Sequence, residues 1–155
     1  MKRKFFFVFI LCSTITFAFA QSPIGKGGQQ LNFGLSGNPN YVPIYVSYDF
    51  GVHPDITVAP QVGIDLSFDW LNLGVRGDYH FNTLMGIPQD WDFYAGLSTG
   101  YSILIGSSNN NASSFFFNGQ IGGRWYWSDK WGLNLEFGGG NLYGSGRIGV
   151  SMKVR

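Results

Sequence analysis

Apolar and polar residues alternate with a period of two along most of the chain after Gln21, and this pattern predicts β-strands. No segment keeps the 3.6-residue period of an amphipathic helix. Each alternating run is roughly ten residues long and ends in turn residues. Eight strands are predicted, at residues 29–36, 41–50, 55–68, 71–81, 92–105, 114–127, 131–140 and 145–154.

The connections between these strands are mostly tight turns rich in Gly, Asn, Asp and Pro. Residues 82–91 form a longer connection, in which one helical turn is expected, and residues 106–113 form a polar loop. No interval has the composition of a linker. The pattern therefore predicts one all-β domain with eight antiparallel, up-and-down strands.

The strand at residues 131–140 indicates which face of the sheet is outside. Its apolar positions alternate with positions that include Glu136. In a soluble barrel the polar faces would meet water, and such faces usually carry many Lys and Glu. After residue 20 the chain has only three Lys and one Glu, and its polar faces are rich in Gly, Ser and Asn. This favours a transmembrane β-barrel with an apolar exterior and a polar lumen over a soluble barrel with an apolar interior.

The first twenty residues have the three parts of a secretory signal peptide. Lys2, Arg3 and Lys4 precede an apolar run, and Ala18-Phe19-Ala20 is a cleavage site of the A-x-A type. A single membrane anchor is the alternative, but the apolar run is short and ends in small residues. Residues 1–20 are therefore predicted to be cleaved, which leaves residues 21–155 as the barrel domain.

Cleavage changes the charge and the cysteine content of the chain. Without Lys2, Arg3 and Lys4, seven basic residues face nine acidic ones, so the net charge is near −2. No basic patch remains, so no nucleic-acid partner is expected. The single cysteine, Cys12, also leaves, which excludes a disulfide.

Aromatic residues cluster near the turns of one predicted end and share the parity of the apolar face. In a transmembrane barrel such residues form a girdle at the membrane interface. Aromatic packing in an ordinary core is the alternative. The predicted interface aromatics are Phe50, Phe81, Phe93, Trp127 and Trp131.

An isolated carboxylate in a lumen is costly, so Glu136 needs partners. Turn positions place Arg124 and Arg147 diagonally across from it on the two neighbouring strands, within reach of its carboxylate. We therefore predict a luminal charge cluster of Arg124, Glu136 and Arg147. A second cluster of Asp65, Arg76 and Asp78 is also predicted. The alternative is that Glu136 faces luminal water.

Motifs with catalytic or ligand-binding meaning are weak. Residues 144–149 match G-x-G-x-x-G, but no helix can follow, so a glycine-rich start of a strand is predicted. His53 and His80 are expected to be exposed near turns, and a metal site is not expected. A hydrolase set would need His80 with Asp78 and either Ser47 or Ser98, at the end of the barrel away from the outer leaflet. No catalytic, metal or cofactor-binding residue is predicted.

Three segments carry a family resemblance: GVRGDYHFNTLMGIPQDWDFYAGLSTGYSI, GGRWYWSDKWGLNLEFGGG and the closing RIGVSMKVR. With the signal sequence, they resemble the small outer-membrane β-barrel domains of Gram-negative bacteria, the OmpA- and OmpW-like barrels, most of all those of Bacteroidetes-type organisms. The resemblance implies a monomer in the outer membrane, inserted by the barrel assembly machinery. Many such barrels end on Phe, whereas this chain ends in Val154-Arg155.

Two functions without catalysis follow from an eight-stranded barrel, whose interior is just wide enough for side chains. The first is a structural or interaction role with a filled lumen. The second is a narrow, porin-like pore or a carrier for small, apolar solutes, and a lipid-modifying enzyme is a third alternative. The narrow interior favours the first. Small luminal residues that leave some space keep the second open as an alternative: Gly34, Ser36, Gly63, Gly74, Gly96, Ser98 and Gly122.

Overall fold

The computed structural model describes residues 22–37, 42–106, 113–141 and 144–155, and of residues 144–145 it describes the backbone. The predicted signal peptide, residues 1–20, lies outside the described residues.

Eight antiparallel strands close into one barrel, in which each strand pairs with the next and β8 pairs with β1. The predicted all-β, up-and-down barrel is therefore confirmed. One helical turn, α1, lies in the long connection where it was expected. The elements are β1 (Gln29–Gly37), β2 (Pro43–His53), β3 (Ile56–Asp65), β4 (Trp70–His80), α1 (Asn82–Met85), β5 (Trp91–Leu104), β6 (Ser113–Tyr126), β7 (Trp131–Gly140) and β8 (Gly144–Lys153).

The ends of all eight strands lie within three residues of the predicted ones, and the largest differences are at the ends of β2 and β3. The third strand stops at Asp65 and does not continue to Phe68, because Asp65 organises a turn. The carboxylate of Asp65 accepts hydrogen bonds from the Ser67 hydroxyl and from the Trp70 amide, the latter at 2.8 Å. Phe68 has a positive φ of 60°, which ends the extended conformation.

The two ends of the barrel differ in what they contain. We call the end with Gln29 and Arg155 the terminal end, since the Gln29 amide donates to the Arg155 carbonyl there. It also carries the turn between β2 and β3, the α1 connection, and the turn between β6 and β7. The opposite end is called the distal end.

Most outward positions are apolar and most inward positions are polar, as the alternation predicts. Leu135 and Ile121 are 49% and 63% exposed, whereas the inward Glu136 and Gln120 are 5% and 6% exposed. A small barrel of this kind therefore buries its charged residues and exposes its apolar ones. None of the helices in the described ranges is long and apolar enough to cross a membrane.

Inward glycines make room for inward aromatic rings. A Cβ at Gly122 would lie 2.4 Å from the Tyr94 ring, and a Cβ at Gly74 or Gly100 would lie 2.8 Å from the Phe116 ring. Tyr94 and Phe116 are 3% and 6% exposed. The interpretation of Gly74 and Gly122 as free luminal space is therefore wrong, because aromatic side chains of the barrel itself fill that space.

The predicted interface aromatics all lie at the terminal end. Phe50, Phe93, Trp127 and Trp131 point outward and are 42%, 44%, 49% and 36% exposed. Phe81 is only half-buried, and its ring lies edge-on to Tyr79 with 5.4 Å between centroids.

Candidate functional site

The lumen is crossed by hydrogen-bonded polar side chains from opposite walls. Among the described residues, these side chains form two charged networks. The middle network contains Gln61, Arg76, Asp78, Tyr94, Gln120, Glu136 and Arg147. The terminal network contains Asp49, Thr57, His80, Asp92 and Arg124.

Arg76 is the centre of the middle network. Its Nε lies 2.7 Å from Asp78 Oδ2, and its Nη2 lies 2.6 Å from Glu136 Oε2. Arg147 Nη1 approaches the other Glu136 oxygen at 3.3 Å. Tyr94 donates to Glu136 at 3.1 Å, so three donors satisfy this buried carboxylate. The contact between Arg76 and Glu136 joins β4 to β7 across the lumen.

Arg124 is the centre of the terminal network. Its Nη2 lies 2.8 Å from Asp49 Oδ2, and its Nη1 lies 2.9 Å from Asp92 Oδ2. The second Asp92 oxygen lies 2.7 Å from His80 Nδ1, and His80 Nε2 lies 3.0 Å from Thr57 Oγ1. Five consecutive strands, β2 to β6, therefore each contribute one side chain to this network.

Tyr94 joins the middle network to the terminal network. Its ring centroid is 4.4 Å from the Arg124 guanidinium carbon and 5.5 Å from that of Arg76. Both distances suit cation–π contacts, which are stronger when water is excluded. Since the Tyr94 hydroxyl also bonds Glu136, one side chain connects the two networks.

Neutral side chains close the part of the lumen beside β1 and β8. Tyr126 donates to Gln30 at 2.5 Å, and Tyr45 donates to Asn134 at 2.6 Å. These contacts continue through hydroxyl and amide groups that leave little polar surface without a partner. The remaining bonds of this layer join Gln30 to Asn32, Asn32 to Ser47 and Ser151, and Asn134 to Ser151.

The N-terminal segment, residues 22–28, lies across the terminal end of the lumen. The Gly27 amide donates to the Gly51 carbonyl at 2.7 Å, and the Gly51 amide donates to Gly28 at 2.9 Å. A Cβ on the inward side of Gly51 would lie 1.8 Å from the Gly25 carbonyl oxygen. Ile24 is only 4% exposed, so this segment seals the terminal mouth with an apolar side chain.

The distal end is less tightly filled. A cavity of about 40 Å³, which we call the distal cavity, lies against Arg147 and Tyr45. The amide oxygens of Asn72 and Asn118 border it and have no hydrogen-bond partner among the described residues. By volume and polarity it suits two or three water molecules. Its lining residues are Ser36, Pro43, Tyr45, Gln61, Val62, Gly63, Asn72, Phe116, Asn118 and Arg147.

The first predicted charge cluster is brought together in part. Glu136 contacts Arg147, which is its direct cross-strand partner. Arg124, however, pairs with Asn134 in the ladder and contacts Asp49 and Asp92, so its predicted contact with Glu136 is wrong. The position next to Glu136 is taken by Arg76, which reaches it from the opposite wall.

The second predicted cluster is also divided. Arg76 and Asp78 form an ion pair, but Asp65 belongs to the turn at the distal end of β3. The contact between Arg76 and Glu136 connects the two predicted clusters. Rules for adjacent strands do not predict it, because β4 and β7 are not neighbours in the sheet. The available signal was parity: Arg76 and Glu136 both point inward in a barrel too narrow to keep opposite walls apart.

His80 is fully buried, so the expectation that it is exposed is wrong. His53, in contrast, is exposed as expected. The partners of His80 also differ from the hypothesised hydrolase set of Asp78 with Ser47 or Ser98. Asp78 is bound to Arg76, and the acid beside His80 is Asp92 on the next strand.

Thr57, His80 and Asp92 have the connectivity of a hydrolase triad, hydroxyl to imidazole to carboxylate. Thr57 is 2% exposed, and the other two are 0% exposed, so no substrate can reach the hydroxyl in this conformation. Arg124 also binds the same carboxylate. Within the described ranges, no three His, Cys, Asp or Glu residues are arranged to hold a metal ion.

Comparison with known proteins gives information on the fold only. No family model matches the sequence. No curated relative matches it either. A de novo designed transmembrane β-barrel is similar, with a TM-score of 0.68 and 19% identity, over 83% of this chain and 97% of that one. The fold is that of small transmembrane β-barrels.

Two bacterial structures have the same fold. The N-terminal β-barrel domain of Pseudomonas aeruginosa OprF gives a TM-score of 0.64 at 13% identity, over 83% of this chain and 98% of that one. The Pseudomonas aeruginosa outer membrane protein OprG gives 0.63 at 10% identity, over 86% and 99%. At these identities the likeness concerns architecture and leaves ligands and partners to be inferred from the lumen.

Proposed function

We propose that the chain is an integral outer-membrane β-barrel protein with a filled lumen and a structural or interaction role. The observation that carries this proposal is the pair of charged networks that join opposite walls of the barrel. Its surroundings are the lipid bilayer, into which the barrel assembly machinery inserts it as a monomer. It needs no cofactor and does not bind nucleic acid.

A filled lumen is favoured energetically over an open one. To open a path for solutes, Arg76 would have to leave Glu136 and Asp78, and Arg124 would have to leave Asp49 and Asp92. Each break would expose charges that now satisfy one another in a space without room for bulk water, and breaking a buried pair costs about 3–5 kcal/mol. Two such breaks would be needed in series, so spontaneous opening is rare.

Insertion in a membrane is the first prediction. The refolded chain should migrate differently on gels before and after heating, and it should give a β-rich circular dichroism spectrum in detergent micelles. An even number of strands places both termini on one side of the membrane, and we expect that side to be the periplasmic one, where protease should reach them. A soluble monomer that folds without detergent or lipid would contradict the proposal.

Conductance tests the filled lumen directly. In a planar bilayer we expect no stepwise current from the wild-type barrel at moderate voltage, because the buried side chains of both networks cross the lumen. Membrane insertion should be verified on the same preparation by the gel shift, so that a recording without current is not caused by a lack of inserted protein. Open-channel steps of the size given by diffusion porins would refute a filled lumen.

The distal cavity favours a second candidate function, a narrow pore. Arg147 would then form part of the conducting path, since it borders the cavity and is partly exposed. In that case Arg147→Glu should change the ratio of cation to anion permeability. With a filled lumen the variant should remain silent, so the two candidates give opposite results in one recording.

Catalysis is the least favoured function, because the Thr57–His80–Asp92 relay is sealed from solvent and from lipid. We predict no lipid deacylation by the wild-type barrel. Product release from a phospholipid substrate in mixed micelles would be followed by mass spectrometry, with His80→Ala as the paired variant. Activity that is present in the wild type and lost in His80→Ala would revive the enzyme hypothesis.

A further inference from the structure

The outward surface of β5 to β8 carries an apolar groove close to the terminal end. Its volume is about 590 Å³, which is much larger than that of the distal cavity. We call it the lateral groove. Its outward walls include Trp91, Phe93, Ile121, Trp125, Leu135 and Phe137.

The groove exists because an outward position on β6 lacks a side chain. Gly123 lies between Phe93 on β5 and Leu135 on β7 in the same cross-strand row. A Cβ at Gly123 would lie 3.2 Å from Phe93 Cε1, so this ring forms one wall directly beside the glycine. The rows on either side carry large residues, among them Trp125 and Ile121, both exposed. The depression is therefore bounded on all sides.

Flat aromatic rings form the wall nearest the terminal end. Trp91 and Phe93 are nearly parallel, with 7° between their planes and 6.1 Å between centroids. Trp125 lies 6.2 Å from Trp91. In membrane barrels, outward Trp residues mark the level of the lipid headgroups. The groove thus begins at the interface and runs toward the apolar centre of the bilayer.

Charges of both signs lie at the terminal end of the barrel, in the turns next to the strands that form the groove. Asp90 directly precedes Trp91, and its carbonyl accepts from the Tyr126 amide at 2.8 Å. Asp129 and Lys130 occupy the turn between β6 and β7, and all three side chains are exposed. Lys153 does not face the groove, because its ammonium lies 4.0 Å from the centroid of the inward Tyr126 ring. A zwitterionic headgroup fits this arrangement, with its phosphate near Lys130 and its ammonium near the two carboxylates.

We propose that the lateral groove holds one phosphatidylethanolamine molecule, with an acyl chain over Gly123 and the headgroup against Asp90, Asp129 and Lys130. This inference rests on the proposed function, since only a barrel in a bilayer meets such a lipid. All lipids around the barrel keep their acyl chains out of water. This lipid differs from the others because it packs against a preformed concave surface.

Lipid retention tests the proposal. The barrel is refolded into vesicles of equal parts phosphatidylethanolamine and phosphatidylglycerol, extracted in mild detergent, and examined by native mass spectrometry. We expect the wild type to retain one phosphatidylethanolamine. Gly123→Leu should lower the lipid-bound fraction roughly tenfold, because the new side chain occupies the groove.

Gly119→Leu is the matched control on the same strand. Gly119 also points outward, and a Cβ there would meet only Leu97 Cδ2, at 4.0 Å. This variant should retain lipid like the wild type. If Gly123→Leu does not fold, Trp125→Ala removes a wall without adding volume and should give the same loss.

The headgroup contacts have a separate test. Replacing Asp90 and Asp129 together by Asn should abolish the preference for phosphatidylethanolamine over phosphatidylglycerol while a lipid is still bound. Equal retention by the wild type and a folded Gly123→Leu variant would overturn the groove proposal, as would a bound second copy of the chain in place of lipid. Failure of the wild type to insert into vesicles would instead count against the proposed function itself.

Discussion

Gly100→Ala is expected to destabilise the barrel by about 3 kcal/mol or more, at the upper end of the usual cost of overpacking. A Cβ at Gly100 would lie 2.0 Å from the Leu73 carbonyl oxygen and 2.6 Å from the Gly74 Cα on the paired strand. It would also lie 2.8 Å from the Phe116 ring, which is buried in the lumen. Because two of these contacts are with backbone, a rotamer change cannot relieve them.

The measurement is urea unfolding of the refolded barrel in vesicles, followed by the gel shift. Gly63→Ala is the matched control, since Gly63 also points inward but its Cβ would lie 3.5 Å from the nearest atom, an ordinary contact. We expect the control to keep the wild-type midpoint. Combining Phe116→Leu with Gly100→Ala should recover only part of the loss, because the clash with the Leu73 carbonyl remains. A wild-type midpoint for Gly100→Ala would show that β4 and β5 are further apart at this position than they are in the structure.

The alternation of apolar and polar residues was sufficient to predict the strands, their number and which face is outward. The alternation is informative because the two faces of a barrel wall have different surroundings. Outward side chains meet lipid, inward side chains meet other polar side chains, and each must match what it meets. Leu133, Leu135 and Phe137 point outward, and Asn134 and Glu136 point inward, as their parity requires. Turn residues locate the ends of the strands to within three residues, and the early end of β3 at Asp65 is one of the two largest differences.

The contacts inside the lumen were predicted less well, for a physical reason. Cross-strand rules concern neighbours in the sheet, but an eight-stranded barrel also brings opposite walls within side-chain reach. Arg76 therefore reaches Glu136 across the lumen, and Arg124 is left to Asp49 and Asp92. The place of His80 near a turn predicts exposure, but its inward parity indicates the burial that the structure shows.

Glycine was the other source of error, since absence of a side chain does not indicate empty space. Tyr94 fills the space beside Gly122, and Tyr45 approaches the position of a Gly149 Cβ to 2.6 Å. Many luminal glycines are therefore compatible with a filled barrel as well as with an open one. The two are distinguished by whether inward aromatic residues occur on neighbouring strands.

Arg76→Met is expected to cost about 3–5 kcal/mol, because it leaves the carboxylates of Asp78 and Glu136 without their main cation in a lumen that excludes water. Both carboxylates are buried, at 2% and 5% exposure of their residues. Methionine keeps much of the length of the side chain, so most of the loss reflects charge and not volume. Urea unfolding in vesicles gives the change in free energy of unfolding.

A double-mutant cycle identifies which arginine stabilises Glu136. Arg76→Met should cost clearly less in a Glu136→Gln background than alone, with a coupling energy of about 1–3 kcal/mol, because the salt bridge is already removed. Arg124→Met should cost nearly the same in both backgrounds, since its ion pairs are with Asp49 and Asp92 and only the Tyr94 ring links it to Glu136. Strong coupling to Arg124 and none to Arg76 would restore the pairing expected from neighbouring strands. Additive losses for both arginines would mean that luminal water screens Glu136, and the lumen would then be hydrated rather than filled.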